Sequence, residues 1–285
     1  MHQKDIIQAK AICQQRDGIR LEQTRFATFN SIPRGGGQLI ELSQMLLYLG
    51  FCALLSVFAY FRNILDLKGS LLAFVVGAII SILGSILWLI MLLIFLLTSY
   101  VLTKYRFELK KQKGLHEGSK GERGYRNVVA NGIVMTAIAV FAWLDGELMD
   151  MATASFIFVS ALSVAAADTA ASEIGVFDPR PVLITTGERV KPGTDGGVSL
   201  TGQLVAFIAA GFTSAIAYLL FSLDPTMVAG PSTVLIPMLC GFFGCQVDSV
   251  IGATIERRGK IGKLGNNMVS IACGALLAWI ISLAI

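Results

Sequence analysis

Three acidic stretches set among apolar runs hold the residues best suited to chemistry. Asp168-Thr169-Ala170-Ala171-Ser172-Glu173-Ile174-Gly175 follows directly on the apolar stretch 156–167. A polar loop reads Pro192-Gly193-Thr194-Asp195-Gly196-Gly197-Val198-Ser199-Leu200-Thr201-Gly202, and later Asp248-Ser249 precedes Gly252-Ala253-Thr254 and Glu256. Carboxylates at or near membrane depth are costly and commonly mark a site. A hard cation such as Mg²⁺ takes oxygen ligands, typically one or two carboxylates plus substrate phosphates, and offsets the charge of a transferring phosphoryl group. Asp168, Glu173, Asp195, Asp248 and Glu256 are therefore the candidate metal ligands, with Asp168, Glu173 and Asp248 as candidate catalytic carboxylates. Gly193, Gly196, Gly197 and Gly202 permit tight turns whose N–H groups can cradle phosphate oxygens, and Thr194 and Ser199 stand in the same loop. The loop lacks the Gly-Lys-Ser/Thr ending of a Walker A sequence, and a plain turn-rich connection is the competing reading. Asp168 and Glu173 are five apart, not an ideal helical pair. A helix that ends or kinks near Ser172 would turn both toward one site. Taken alone, Asp168 reads as an N-cap, so the functional reading rests on its co-occurrence with Asp195 and Asp248.

Further polar residues border the same segments. Lys104 ends one apolar run, and Arg126-Asn127 with Asn131 opens the next. Arg binds phosphate bidentately and Lys as a point charge, whereas positive-inside anchoring explains both without any ligand. Asn131 lies within its apolar run, where an amide needs a partner. Asn266 and Asn267 open the last run, as helix caps or as ligand contacts.

The elements that must position these residues are membrane spans. The 285 residues are 54% hydrophobic and only 15% charged, against about 25% charged in a soluble domain. The fold class is therefore all-α, a polytopic transmembrane bundle. Spanning takes about 20 apolar residues. Candidate spans are 42–61, a pair within 69–102 broken near Gly84, 127–144, 149–167, 203–222, 227–247 and 267–285, with seven or eight crossings in all. The run 149–167 is the weakest, and its Ala, Ser and Thr suit close packing in a bundle interior. Pro225, Gly230, Pro231 and Pro237 suggest some broken helices. Residues 1–41 form a polar extension in which Ile6, Ile7, Ile12, Ile19 and Leu21 allow a short amphipathic helix, and Arg34-Gly35-Gly36-Gly37 reads as a joint. The catalytic domain is 42–285.

Basic residues gather in 103–126, 176–202 and 248–266, and those loops fall on one side if two spans separate each from the next. Positive charge marks the cytoplasmic side, so the acidic motifs face the cytoplasm. Counting back puts the N-terminus outside, against the basic residues of the first 41 positions, and leaves that end open. Five cysteines, an odd number mostly in apolar runs, argue against a disulfide framework. His2 and His116 lie far apart in polar segments, which argues against histidine-based chemistry. The net charge of +4 is modest, and no nucleic-acid partner is expected.

These residues resemble a known integral-membrane family. The resemblance runs through Thr98-Ser99, Thr103-Lys104-Tyr105, Arg126-Asn127, Ala130-Asn131-Gly132, the Asp168–Gly175 and Pro192–Ser199 motifs, Asp248–Thr254 and Asn266-Asn267. It is the family of plant phytyl-phosphate kinase, transmembrane protein 19 and their bacterial and archaeal relatives, distantly similar to dolichol kinase and CDP-diacylglycerol synthase. It covers about residues 62–285. It implies phosphorylation of an isoprenyl monophosphate to the diphosphate by a nucleoside triphosphate, with CTP favoured. Asp168 and Glu173 would hold Mg²⁺ and loop 193–199 the triphosphate. The family pattern has Asn where this chain has Ser270. A cytidylyltransferase acting on a lipid phosphate and an ion-coupled transporter are the alternatives, the latter disfavoured by the lack of an internal repeat.

Overall fold

Apolar runs of spanning length, cut by Gly, Ser and charged turns, fold into helices whose order follows those cuts. The computed structural model describes residues 31–33, 39–116, 118, 120–146, 148–224, 230 and 232–284. The expected amphipathic segment and the joint at 34–37 lie outside these residues. Strands β1 (Ser31–Pro33) and β2 (Leu39–Glu41) pair antiparallel, with Ile32 opposite Ile40. The helices are α1 (Leu42–Phe61), α2 (Leu67–Ile79), α3 (Ile86–Lys104), the short α4 (Phe107–Gln112), α5 (Tyr125–Leu144), α6 (Met151–Gly175), α7 (Leu200–Phe221), α8 (Ser232–Ile251) and α9 (Lys263–Ser282). A π-helical turn extends α2 through Ile80–Gly84, and another extends α8 through Gly252–Glu256. Among the described residues eight helices are long and apolar enough to span a membrane.

The run 69–102 divides where expected. Ser85 is extended, and its hydroxyl accepts from the Leu87 N–H to cap α3. A Cβ on Gly84 would lie 2.6 Å from the Trp88 ring, so only glycine lets the chain pass. The expected break at Pro237 is absent. Helix α8 runs through Pro237 in its second turn, and Pro225 and Pro231 lie outside the described residues.

Helix α6 is the axis of the bundle. It packs against α3, α5, α7, α8 and α9, and 72% of its most apolar window is buried. Small residues allow this closeness. A Cβ on Gly244 of α8 or Gly274 of α9 would collide with the Val164 side chain, so the valine fits between two glycines. Such contacts hold helices together where lipid supplies no hydrophobic drive between them. Trp88 stacks on Phe158 at 4.5 Å and donates to the Ser155 hydroxyl at 3.0 Å, tying α3 to α6. Helix α1 packs mainly on α2, is 11% buried, and turns Leu46, Leu47, Leu54 and Phe61 outward.

The alternation of helices puts the turn 62–66 and the three basic loops at one end. Arg123 pairs its backbone with Ile64 and Asp66, and Lys110 reaches Glu173 at the end of α6. Residue 42 stands at the opposite end, because α1 crosses once before the 62–66 turn.

Candidate functional site

The last two turns of α6 carry Asp168 and Glu173. The helix neither ends nor kinks at Ser172 but continues to Gly175. Five residues at 3.6 per turn rotate the second carboxylate by roughly 140° from the first. Asp168 and Glu173 therefore enter two different environments, and Asp168 is not a cap.

Asp168 faces α8 and α9. Its Oδ2 accepts from Asn267 Nδ2 at 3.3 Å, and its carboxylate touches that of Asp248. Asp248 Oδ1 accepts from the Ser270 hydroxyl at 3.2 Å. Asn266 Nδ2 donates to the Asp248 carbonyl at 3.1 Å and to Glu256 Oε2 at 2.8 Å, holding the π-helical turn against α9. Both asparagines lie inside α9, which begins at Lys263, so neither is its cap. Ser270 therefore orients Asp248 by its hydroxyl, at the position where the family pattern places an amide.

The glycine loop roofs these carboxylates. Strands β3 (Val182–Leu183) and β4 (Gly197–Val198) pair antiparallel and turn residues 192–199 back over the bundle. Gly196 has φ +73, and a Cβ there would strike the Ala253 backbone of the π-helical turn. Gly252 meets it from the other side, its Cβ position 2.8 Å from Gly196 N. This backbone-on-backbone contact requires glycine at both places. Gly193 (φ +83) lies under Leu115 of the first basic loop. Thr194 Oγ1 donates to the Lys191 carbonyl at 2.7 Å and closes the turn. Ser199 caps α7, its hydroxyl accepting from Gly202 N at 3.1 Å.

Together these parts enclose a polar cavity of about 360 Å³, bordered by Asp168, Asp195, Asp248, Glu256, Asn266, Asn267 and loop 193–199. The N-termini of α7 and α9 open onto it, through Ser199, Gly202, Gln203 and Lys263, and a helix N-terminus favours anions. Asn266 Oδ1 is buried with no partner among the described residues. The available donors are hard oxygens from carboxylates and an amide, which suits Mg²⁺. Among the described residues no three His, Cys, Asp or Glu form a metal-holding group. Asp168 and Asp248, in mutual contact, are the pair that would hold it.

Glu173 is placed elsewhere. Its Oε2 accepts from Lys110 Nζ at 2.6 Å, and its Oε1 accepts from Thr103 Oγ1 at 2.6 Å and lies 3.7 Å from Arg123. Both oxygens are engaged by buried partners, so this carboxylate forms the cavity wall as the anion of an ion cluster and not beside Asp168. Arg106, at φ +49, reverses the chain after α3 and sends α4 back under it. Lys110, 1% exposed, then also donates to the Leu102 and Thr103 carbonyls at the end of α3, where carbonyls lack helical partners.

Three further candidates lie off the cavity. Lys104 Nζ donates to the Lys120 carbonyl and stands over the Tyr100 and Phe107 rings. Arg126 is exposed beside the Tyr125 hydroxyl. Asn131 is buried against a separate apolar groove. The sequence reading did not single out the two cations that the fold buries against Glu173. Lys110 and Arg123 are the buried pair, and nothing in the spacing of 104–126 separates them from their neighbours; an αL residue after α3 is visible only in the backbone.

The family profile described as integral membrane protein DUF92 matches residues 50–277. This chain belongs to the DUF92 integral membrane family. Protein PGR of Arabidopsis thaliana is 34% identical over 77% of this chain and 84% of its own length. An uncharacterized membrane protein of Methanocaldococcus jannaschii is 28% identical over 76% and 85%. Protein VTE6, chloroplastic, of Arabidopsis thaliana is 27% identical over 62% of this chain and 53% of its own length. No solved structure matches significantly. The DUF92 match spans α2 through α8 and nearly all of α9, so it contains the whole cavity and the Glu173 cluster.

Proposed function

We propose that this DUF92 protein is a membrane kinase that converts an isoprenyl monophosphate, of phytyl or geranylgeranyl type, to the diphosphate. The donor is a nucleoside triphosphate, CTP being favoured by the resemblance to dolichol kinase and CDP-diacylglycerol synthase. The observation that carries the reading is the contact between Asp168 and Asp248 beneath a glycine loop whose backbone cannot carry side chains at Gly196 and Gly252. That contact holds the glycine loop over the two carboxylates, where its turns can face an anion. The likeness to VTE6 and the family resemblance of the motifs support the lipid phosphate as acceptor.

Mg²⁺, when bound at Asp168 and Asp248, offsets the charge of the triphosphate. Asn267 and Ser270 fix the orientation of those two carboxylates. Loop 193–199 and the N-terminus of α7 line the side of the cavity where the donor phosphates would lie. The acceptor is already an ionised phosphate oxygen, so the chain needs no strong general base, and its work is positioning. The basic loops favour a cytoplasmic side for the cavity, where a soluble donor would meet the membrane-borne acceptor.

Purified protein incubated with Mg²⁺, labelled CTP or ATP and geranylgeranyl or phytyl monophosphate tests the reading. The expected products are the lipid diphosphate and nucleoside diphosphate. A CDP-linked lipid with pyrophosphate would replace the kinase by a cytidylyltransferase. No turnover across donors and acceptors would sink the proposal.

A further inference from the structure

A second hollow lies on the bilayer side of the Glu173 cluster. It is an apolar groove of about 130 Å³ between α1, α2, α3 and α5. Along α3 it runs from Leu97 to Leu89, roughly 12 Å at 1.5 Å per residue. Its lining includes Phe58 and Leu97, whose exposure is 52% and 40%, so it opens toward the lipid. Its lining is not wholly apolar: Arg123, at the loop end, and Asn131, in the second turn of α5, are 5% and 6% exposed. Asn131 donates its Nδ2 to the Asn127 carbonyl at 2.8 Å, and its Oδ1 has no partner among the described residues. A buried amide oxygen left unmet beside an apolar channel is costly and suits a ligand that brings a donor.

Arg123 joins the groove to the polar cavity. It lines the groove and also lies 3.7 Å from Glu173, which borders the cavity. An amphiphile in the groove therefore presents its head one ion pair away from the donor site.

We infer that this groove holds the hydrocarbon chain of a single-chain lipid monophosphate, with the phosphate against Arg123 and Asn131. The identity of the head group rests on the kinase reading; the apolar chain rests on the groove itself. A phosphate monoester matches both polar residues, since its oxygens accept from the guanidinium and its singly protonated form has an O–H for Asn131 Oδ1. A lipid alcohol brings a single uncharged oxygen, which gives the guanidinium no anion.

The test is photolabelling of the full chain in nanodiscs with a prenyl monophosphate bearing a diazirine in its tail. Labelling is expected on groove residues of α1 and α3, competed by unlabelled geranylgeranyl monophosphate and not by geranylgeraniol. Ser56→Trp, which fills the groove from a half-buried position on α1, is expected to cut labelling at least about tenfold, as is Arg123→Gln. Size-exclusion profiles and thermal midpoints identify variants that fail to fold. Ser56→Trp keeps the test decisive if Arg123→Gln is one of them. Labelling elsewhere, or groove labelling unchanged in folded Ser56→Trp, overturns the inference. Equal competition by the alcohol overturns the head-group assignment. Groove labelling without turnover leaves the inference standing and removes the kinase; turnover without groove labelling does the reverse.

Discussion

The cavity at the end of α6 and the groove beside α1 meet at the Glu173 cluster, yet opposite materials line them. The cavity is bounded by carboxylates, amides, glycine backbone and two helix N-termini. The groove is bounded mainly by leucine, isoleucine, valine and phenylalanine, with Arg123, Asn127 and Asn131 as its strongly polar members. Their walls also differ in packing. Around α6 helices touch through Gly244, Gly274 and Val164, while α1 rests on little besides α2. A rigid half fixes the polar chemistry, and a loosely covered half is open to the bilayer. A reaction that joins a soluble reactant to a lipid requires that division.

The boundary between the two regions is where the comparison breaks most easily. Lys110→Met leaves the buried Glu173 with less compensation, and removing one partner of such a pair costs about 3–5 kcal/mol. Unfolding curves in mixed micelles are expected to show a loss of that order. The double variant Lys110→Met/Glu173→Met recovers part of it, and no recovery would mean the pair is not coupled. Within the rigid half, Asp168→Asn is expected to lower turnover by at least about a hundredfold while the thermal midpoint stays near wild type. An active variant would return Asp168 to a purely structural role.

Gly196→Ala ranks next. Its strained left-handed backbone alone costs roughly 1–2 kcal/mol, and its methyl meets the Ala253 backbone. Donor binding measured by calorimetry is expected to weaken, with lipid labelling in the groove unchanged. Ser270→Ala removes a hydrogen bond to a carboxylate, worth about 1.5–3 kcal/mol when made to a charged group, and Ser270→Asn restores turnover.

The smallest effect lies outside the spans. The Asp178 carboxyl is held below its ordinary range, first by the Arg180 N–H and then by the Thr201 hydroxyl. A lowered folded-state value stabilises the ionised form. Its contribution is full above the ordinary carboxylate range and is lost as pH falls through the lowered value. Asp178→Asn is expected to flatten the acid limb of a thermal-midpoint profile slightly, with neutral-pH turnover unchanged.

Much of the fold was legible because lipid reduces the problem to lengths of apolar chain. All eight spans were readable, including the break at Gly84. Helix α6 extends eight residues past its expected end, since a buried bundle core tolerates Asp168 and Glu173 that a hydropathy reading counts against it. The carboxylates of α8 and the glycine loop were legible by type. Cation partners were not. Lys110 reaches Glu173 only because Arg106 adopts a left-handed turn, and no composition rule ranks one lysine of a basic loop above another. Ser270 stands where the family pattern has Asn, and its hydroxyl still donates to Asp248.

The burial of α6 has a consequence for how the chain is made. Its best window has a mean hydropathy of 1.6, against 2.5 for α3, so the span bearing Asp168 is among those the bilayer itself holds least. During synthesis α6 emerges before α7, α8 and α9, the helices whose glycines receive it. Its packing in the bundle is therefore completed only after the last third of the chain has been made.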